Sequence, residues 1–157
     1  DDKHDLALFQ PIDPSYTFKE APVSLATPED VKNLEIGQTL VAIGYPKAQI
    51  RTVTKGEFTD VTHIPGSPWE DGLYQITVPI TGGNSGGGLY VTDGNDYRLL
   101  GVTVAGYKDV SFMNYATTYE QTMAILSGFV DNEDVKKAAS DLQKKKFADD
   151  SGMIDGR

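Results

Sequence analysis

The sequence predicts an all-β fold with helices confined to its C-terminal part. Short runs rich in β-branched and aromatic residues are separated by turn-forming residues, and helical periodicity appears only after these runs. The chain has 157 residues, of which 39% are hydrophobic and 10% aromatic, which is enough for one hydrophobic core. We therefore expect one domain whose strands form a sheet that closes on itself or stacks.

The predicted strands cover six segments of the chain. Apolar residues are consecutive rather than alternating in segments 6–9 and 40–43, which is typical of strands covered on both faces. Between the last two segments, Asp93-Gly94-Asn95-Asp96 supplies left-handed turn positions and predicts a hairpin. In chain order the predicted strands are residues 6–9, 39–45, 51–61, 73–78, 88–92 and 97–104.

Two helices are predicted after the strands. Residues 119–129 place Met123, Ile125 and Leu126 near one side. Residues 131–147 carry acids in the first turn and lysines at 144–146 in the last, which the helix dipole favours, but their apolar stripe is thin. We therefore expect a domain at residues 1–130, followed at 131–157 by a charged helical extension and a flexible tail.

Composition excludes several classes of partner and site. Lys and Arg number 14 against 23 Asp and Glu, and the net charge of −9 disfavours nucleic acid and anionic membrane surfaces as partners. Without cysteine, the chain offers neither a disulfide nor a thiolate metal site. The two histidines, His4 and His63, lack a helical metal-binding spacing. We expect no metal and no cofactor.

The glycine-rich segment 81–90 surrounds Ser85 and admits several interpretations. A phosphate-binding loop would need a lysine and a following helix, whereas a strand follows here. The serine elbow of α/β-hydrolases would need a later histidine, and none occurs after His63. Two interpretations stay open: an ordinary Gly-Asn-Ser turn, or a loop of an antiparallel barrel that presents a nucleophile beside converging N–H groups.

Residues 83–87, Gly-Asn-Ser-Gly-Gly, resemble the nucleophile motif of trypsin-like (chymotrypsin-fold) serine peptidases, in a form frequent in the bacterial HtrA-like and glutamyl-endopeptidase branches. Three further segments match in family order: 5–8 resembles the aspartate motif, 36–56 the opening strands of the second barrel, and 100–106 the strand that binds substrate backbone. The resemblance spans residues 5–127. It implies an antiparallel chymotrypsin-like β-barrel, formed by the second barrel and the last strand of the first.

The resemblance also implies catalytic roles for a serine endopeptidase. Ser85 would be the nucleophile, and Asp5 the acid that orients and stabilises the catalytic imidazolium. The N–H groups of Gly83 and Ser85 would form the oxyanion hole. Gly83 would turn its N–H inward, and the small Gly86 and Gly87 would let the chain pack closely behind the serine.

Substrate contacts follow from the same resemblance. Residues Val104, Ala105 and Gly106 would pair with an extended peptide by strand addition. The primary specificity pocket carries no charge, so we expect it to accept small or medium apolar side chains of a peptide or protein substrate. The positions expected to line it are Pro79, Ile80, Thr103 and Val104.

No histidine occupies the family position of the general base. His4 adjoins Asp5 on a predicted strand, so the two side chains should point to opposite sides, and His63 falls in a long loop. We expect the base to come from an N-terminal segment of the same protease, either a separate processed chain or one outside this sequence. That segment would cover the unpaired apolar edge formed by Leu6 and Leu8.

This chain alone is then expected to be inactive, since loss of the triad histidine in related chemistry costs roughly a millionfold in turnover. The alternative is a catalytically inactive peptidase-like barrel that acts as a peptide-binding or structural module. Family habit implies a secreted or periplasmic setting.

Overall fold

The computed structural model describes residues 3–9, 11–13, 15–17, 23–65, 69, 71–107 and 110–131. The chain forms two compact units. One comprises Asp1–Leu6 and Pro22–Met123 and contains all the strands; the other comprises Ala7–Ala21 and Ala124–Arg157. The predicted helix 131–147 and the tail lie, apart from Asp131, outside the described residues, so the boundary expected after residue 130 stays a prediction. Within the described part, no helix combines the length and apolar character needed to cross a bilayer.

The secondary structure confirms the all-β prediction. Six of the elements lie close to predicted segments, and the hairpin turn falls at residues 93–96. In chain order the elements are β1 (Ser24–Leu25), α1 (Pro28–Lys32), β2 (Thr39–Gly44), a 3-10 turn (Pro46–Ala48), β3 (Thr52–Thr62), β4 (Leu73–Ile76), β5 (Gly88–Thr92), β6 (Tyr97–Gly106), β7 (Asn114–Ala116) and α2 (Tyr119–Asp131).

Six strands close into an antiparallel barrel in the order β2-β3-β4-β7-β6-β5 and back to β2. Closure is possible because β6 is long: its first part pairs with β5, and its last part, from Thr103 to Gly106, pairs with β7. The two-residue β1 adds to the start of β6 in parallel. The chymotrypsin-like antiparallel barrel implied by the resemblance is therefore confirmed.

Alternate residues of the strands fill the barrel. Leu40 and Ala42 of β2 belong to the core cluster, while Val41 between them is also fully buried, which confirms the expectation that β2 is covered on both faces. The other strand residues of the cluster are Phe58, Tyr74, Ile76, Leu89, Val91, Leu100 and Ala116.

Residues 6–9 do not form a strand, so that prediction is wrong. Residues 3–5 form a turn that ends with Asp5 in the left-handed region (φ 53°), and residues 6–9 continue without regular structure. Leu6 is buried and Leu8 is 40% exposed, so the expected unpaired strand edge is absent from this described segment. A short apolar run has no strand to pair with here, and an isolated strand is not stable in water.

The barrel has two ends. At one end β2, β4 and β6 finish while β3, β5 and β7 begin; we call it the serine end, because Ser85 lies in the loop that leads into β5. At the opposite end β3, β5 and β7 finish, and β2, β4 and β6 begin. Strand β2 has 6 residues, which at about 3.3 Å per residue places the ends roughly 20 Å apart along the strands.

Candidate active site

Ser85 occupies the loop between β4 and β5 at the serine end. Its side chain is exposed, and its hydroxyl donates a hydrogen bond to the carbonyl oxygen of Val104 on β6, with an Oγ to O distance of 3.2 Å. The structure therefore brings together the predicted nucleophile and the first residue of the predicted peptide-binding strand.

Glycine is required at two positions of this loop because other main chain lies too close. Gly83 has φ 97°, and a Cβ there would lie 2.6 Å from the Lys47 nitrogen and 2.7 Å from the Tyr45 oxygen. A Cβ at Gly87 would lie 2.6 Å from the Ile43 oxygen, so close packing behind the serine is confirmed there. At Gly86 it is wrong: that site faces open space, and its φ of 84° alone favours glycine.

The N–H groups of the loop divide into two sets. Asn84 donates to the Thr81 oxygen (3.0 Å), Gly86 to the Thr103 oxygen (2.8 Å), and Gly87 to the Asn84 oxygen (2.8 Å). The N–H groups of Thr81, Gly82, Gly83 and Ser85 make no hydrogen bond within the described part of the chain. Two of these, Gly83 and Ser85, are the donors that the resemblance assigns to the oxyanion hole, and both belong to exposed residues.

Thr103 lies directly behind this loop and is 1% exposed. Its Oγ1 lies 2.5 Å from the Asn84 oxygen and 3.1 Å from the Gly87 oxygen. A neutral hydroxyl has one hydrogen to donate, so the shorter contact takes it. The hydroxyl of this predicted pocket residue is thus directed at the loop, a contact that the sequence analysis missed.

The other predicted pocket residues also lie at the serine end. Pro79 is exposed and its carbonyl accepts a hydrogen bond from the Thr54 hydroxyl at 2.9 Å. Ile80 is half-buried against the core, and Val104 is half-buried on β6. None of the four predicted pocket side chains is ionisable, so none of them offers a charge to a bound side chain.

The end of β6 has one open side. Residues Thr103, Ala105 and Gly106 pair with β7, whereas pairing with β5 stops at Gly88 opposite Val102. Within the described residues, no strand pairs with 104–106 on the side facing β5. An extended chain can add at such an edge.

Asn84 is the one buried polar residue of the loop whose side chain is incompletely satisfied. It is 6% exposed, and its Oδ1 has no hydrogen-bond partner within the described part of the chain. Strand β2 leaves room for this amide only because residue 44 is glycine: a Cβ there would lie 2.6 Å from the Asn84 Oδ1.

The histidines and Asp5 lie away from this loop. His4 Nε2 is 3.2 Å from Asp71 Oδ2, just before β4 begins, and hydrogen bonds from Lys3 and His4 hold the pKa of the Asp71 carboxyl below its usual value. His63 follows β3 at the same opposite end. The structure thus does not bring Asp5, the neighbour of His4, together with Ser85, and the expectation of opposed side chains on one strand does not apply because residues 3–5 form a turn.

The described residues contain no cluster of His, Cys, Asp or Glu side chains suited to a metal ion. The site consists of the Ser85 hydroxyl, the N–H groups of Gly83 and Ser85, which have no partner within the described residues, and the open side of β6 at residues 104–106. The acid and base expected of a catalytic triad are not assembled around it.

Solved structures of proteases resemble this chain. Three of them are a variant of the HtrA-type protease AlgW with a tripeptide (TM-score 0.62, 20% identity, covering 74% of this chain and 38% of that one), the active form of the Rv3671c protease from M. tuberculosis (0.57, 22%, 69% and 48%) and the serine endoprotease from Yersinia pestis (0.54, 21%, 70% and 36%). At these identities the likeness concerns the fold, and this chain spans less than half of each structure's length.

Among curated proteins, no sequence matches the chain. The trypsin-like peptidase domain, in contrast, matches residues 1–102. That match covers more than half of the 157 residues and includes the glycine-rich loop and its serine. The chain therefore belongs to the trypsin-like peptidase domain family.

Proposed function

We propose that this chain is the C-terminal portion of a serine endopeptidase that cleaves peptide bonds through Ser85. The observation that supports the proposal is the exposed Ser85 hydroxyl in a loop whose Gly83 and Ser85 N–H groups have no partner within the described residues. Acyl transfer needs hydrogen-bond donors where negative charge develops, and these two exposed N–H groups are available as donors beside the hydroxyl.

In the proposed reaction, Ser85 Oγ attacks the carbonyl carbon of the scissile bond while an imidazole takes the hydroxyl proton. The N–H groups of Gly83 and Ser85 stabilise the oxyanion, and the imidazolium then protonates the leaving amine. Water hydrolyses the acyl-enzyme by the same steps. The imidazole belongs to an N-terminal segment of the same protease that lies outside this sequence, and Asp5 orients it.

Asp5 must move for this role, since the turn at residues 3–5 lies at the opposite end of the barrel. The ion pair between Lys3 and Asp71 anchors this turn, and its two side chains are 57% and 53% exposed. Such exposed pairs contribute only about 0–1 kcal/mol. Displacement of the turn would also break the contact between His4 and Asp71 and expose the buried Leu6, so the packing of the histidine-bearing segment against the barrel must offset these losses.

The substrate is a peptide or protein that adds as a strand along residues 104–106 and places a small or medium apolar side chain near Pro79, Ile80, Thr103 and Val104. The open side of β6 and the lack of ionisable side chains support this assignment. We place the protease in a secreted or periplasmic setting, as its family resemblance implies.

The proposal is tested with a fluorophosphonate probe, which labels an activated serine. The chain is incubated with the probe alone and when expressed with the N-terminal segment of its gene product, and Ser85→Ala is the control. We expect labelling only in the completed protein, and none in Ser85→Ala. A completed protein that contains the histidine but leaves Ser85 unlabelled would contradict the proposal.

A second candidate function is a catalytically inactive barrel that binds peptides or serves as a structural module. One observation favours it: in the described residues both histidines lie at the opposite end from Ser85, whose hydroxyl bonds a carbonyl instead. A gene product without a histidine at the family position would support this candidate, as would a peptide that binds the completed protein without being cleaved.

A further inference from the structure

We propose that Thr103 is a positioning residue that fixes the direction of the Ser85 N–H through the main-chain carbonyl of Asn84. The proposal rests on the proposed function, because it concerns the donors assigned there to the oxyanion hole. It adds a role for the Thr103 hydroxyl, which is directed at the carbonyls of the loop and not at the reacting atoms.

The planarity of the peptide group links the direction of the Asn84 carbonyl to that of the Ser85 N–H. The carbonyl of Asn84 and the N–H of Ser85 belong to the same planar unit, and no cis peptide bond occurs among the described residues. In a trans peptide the C=O and the N–H point in opposite directions. Whatever holds the Asn84 oxygen therefore determines where the Ser85 N–H points.

Two donors hold that oxygen. The Gly87 N–H lies 2.8 Å from it and the Thr103 hydroxyl 2.5 Å. Thr103 is itself fixed, because its N–H donates to the Gly87 oxygen and its carbonyl accepts from the Gly86 N–H, each at 2.8 Å. The Ser85 N–H consequently points away from β6, toward the exposed side of the loop.

The direction of the Gly83 N–H is fixed in the same way. Gly83 shares its peptide group with the carbonyl of Gly82, which accepts a hydrogen bond from the Lys47 N–H at 2.8 Å. Lys47 and Ala48 both have φ 54°, in the left-handed region that is unfavourable for residues with a Cβ. The direction of each candidate donor is thus fixed through the carbonyl of its own peptide group. The Thr103 hydroxyl holds the Asn84 carbonyl, and the main-chain turn at Lys47 holds the Gly82 carbonyl.

The test separates the two peptide groups. Amide resonances of the 15N-labelled 157-residue chain are compared for the wild type, Thr103→Val and Thr103→Ser. The 15N shift of Ser85 depends on hydrogen bonding at the preceding carbonyl, so we expect it to move by several linewidths in Thr103→Val and to stay near the wild-type position in Thr103→Ser. The Gly83 resonance, whose peptide group is held by Lys47, should not follow.

Thr117→Val is the matched control. Thr117 is also fully buried, and its hydroxyl accepts from the Val102 N–H at 2.9 Å without touching the loop. We expect Thr117→Val to leave the Ser85 resonance unchanged. An unmoved Ser85 resonance in Thr103→Val, or an equal movement in Thr117→Val, would overturn the proposal.

Kinetics of the completed protease give a second readout. Loss of one oxyanion-hole donor lowers kcat about 10²–10³-fold, so a donor that is misdirected but still present should lower it by roughly tenfold, with KM little changed. Thr103→Ser should restore most of this loss. If the completed wild type does not hydrolyse peptides while Thr103→Val still moves the Ser85 resonance, the proposed function fails and the positioning role of Thr103 stands.

Discussion

The two ends of the barrel satisfy their polar groups in different ways. At the opposite end, the buried Gln121 donates to the Gly72 oxygen at 2.8 Å and accepts from the Thr118 N–H at 3.0 Å. There Arg98 also forms two hydrogen bonds with Asp30, at 3.0 and 2.9 Å. At the serine end, the N–H groups of Gly83 and Ser85 and the Oδ1 of Asn84 have no hydrogen-bond partner within the described residues.

This difference indicates which end is adapted to stability and which to binding. A buried polar group without a partner costs about 1–3 kcal/mol, so most proteins pair such groups. The side chains of Gln121 and Arg98 at the opposite end follow that rule. At the serine end the buried Oδ1 of Asn84 departs from it, while the N–H groups of Gly83 and Ser85 belong to exposed residues and are available as donors to a bound peptide.

Substitution of Gly83 by alanine should have the largest effect. The new Cβ would lie 2.6 Å from the Lys47 nitrogen, so the loop must shift and the N–H of residue 83 with it. We expect probe labelling of the completed protein to slow by about 10²-fold or more, because an oxyanion-hole donor is misplaced. The rate of labelling measured against the wild type checks this.

Gly86→Ala is the control on the same loop. Gly86 has a similar φ of 84°, but a Cβ there meets no atom within 4 Å. The substitution should cost roughly 1 kcal/mol of stability through backbone strain and should slow labelling far less. Equal losses in the two variants would show that backbone strain, and not the contact with Lys47, controls the site.

Substitution of Arg98 should change stability without changing the site. Hydrogen bonding with Arg98 is the largest cause that lowers the pKa of Asp30, while the N–H groups of Asp96 and Asn95, followed by Arg98, lower the pKa of Asp93 to about 2. Arg98→Gln should decrease the free energy of unfolding at pH 7, because the two charge-assisted hydrogen bonds with Asp30 are lost. Probe labelling of the folded protein should stay at the wild-type rate.

The pH dependence follows from these lowered values. A carboxyl whose folded pKa lies below its unfolded value of 3.8 stabilises the fold above that value, and this contribution is lost as the pH falls toward about 2. The difference in Tm between the wild type and Arg98→Gln should therefore shrink between pH 4 and pH 2. A constant difference over that range would mean that the ion pairs do not stabilise the barrel.

Much of the barrel was predictable because its signals are local. The strand predicted at 88–92 matches Gly88–Thr92, and the helix predicted from 119 begins at Tyr119. Helix α1 was missed although its signal is readable: Thr27 caps it in a reciprocal capping box with Asp30. Strand β7 has only 3 residues, too few for a periodic pattern, and forms because β4 and β6 both pair with it.

The site was predictable as a motif but not as a geometry. The sequence identified the glycine-rich loop, yet the contact between Thr103 and Asn84 joins residues 19 positions apart, and nothing local signals it. Nor does a sequence motif tell where a terminal segment packs. The expected strand at residues 6–9 has no partner strand and does not form, and the preceding turn at residues 3–5 leaves Asp5 at the opposite end.

The smallest effect is expected from the two histidines. His4 contacts Asp71, and His63 lies beside Gly72, where a Cβ would come within 3.4 Å of its Nε2. Both histidines lie at the opposite end of the barrel, roughly 20 Å along the strands from Ser85. A double substitution, His4→Ala with His63→Ala, should leave probe labelling of the completed protein within about twofold of the wild type, because neither imidazole lies close enough to Ser85 to act as its base.

A drop comparable to the roughly millionfold loss of a triad member would contradict this prediction. It would mean that one of the two histidines reaches Ser85 when the N-terminal turn is displaced, and that this chain carries the base.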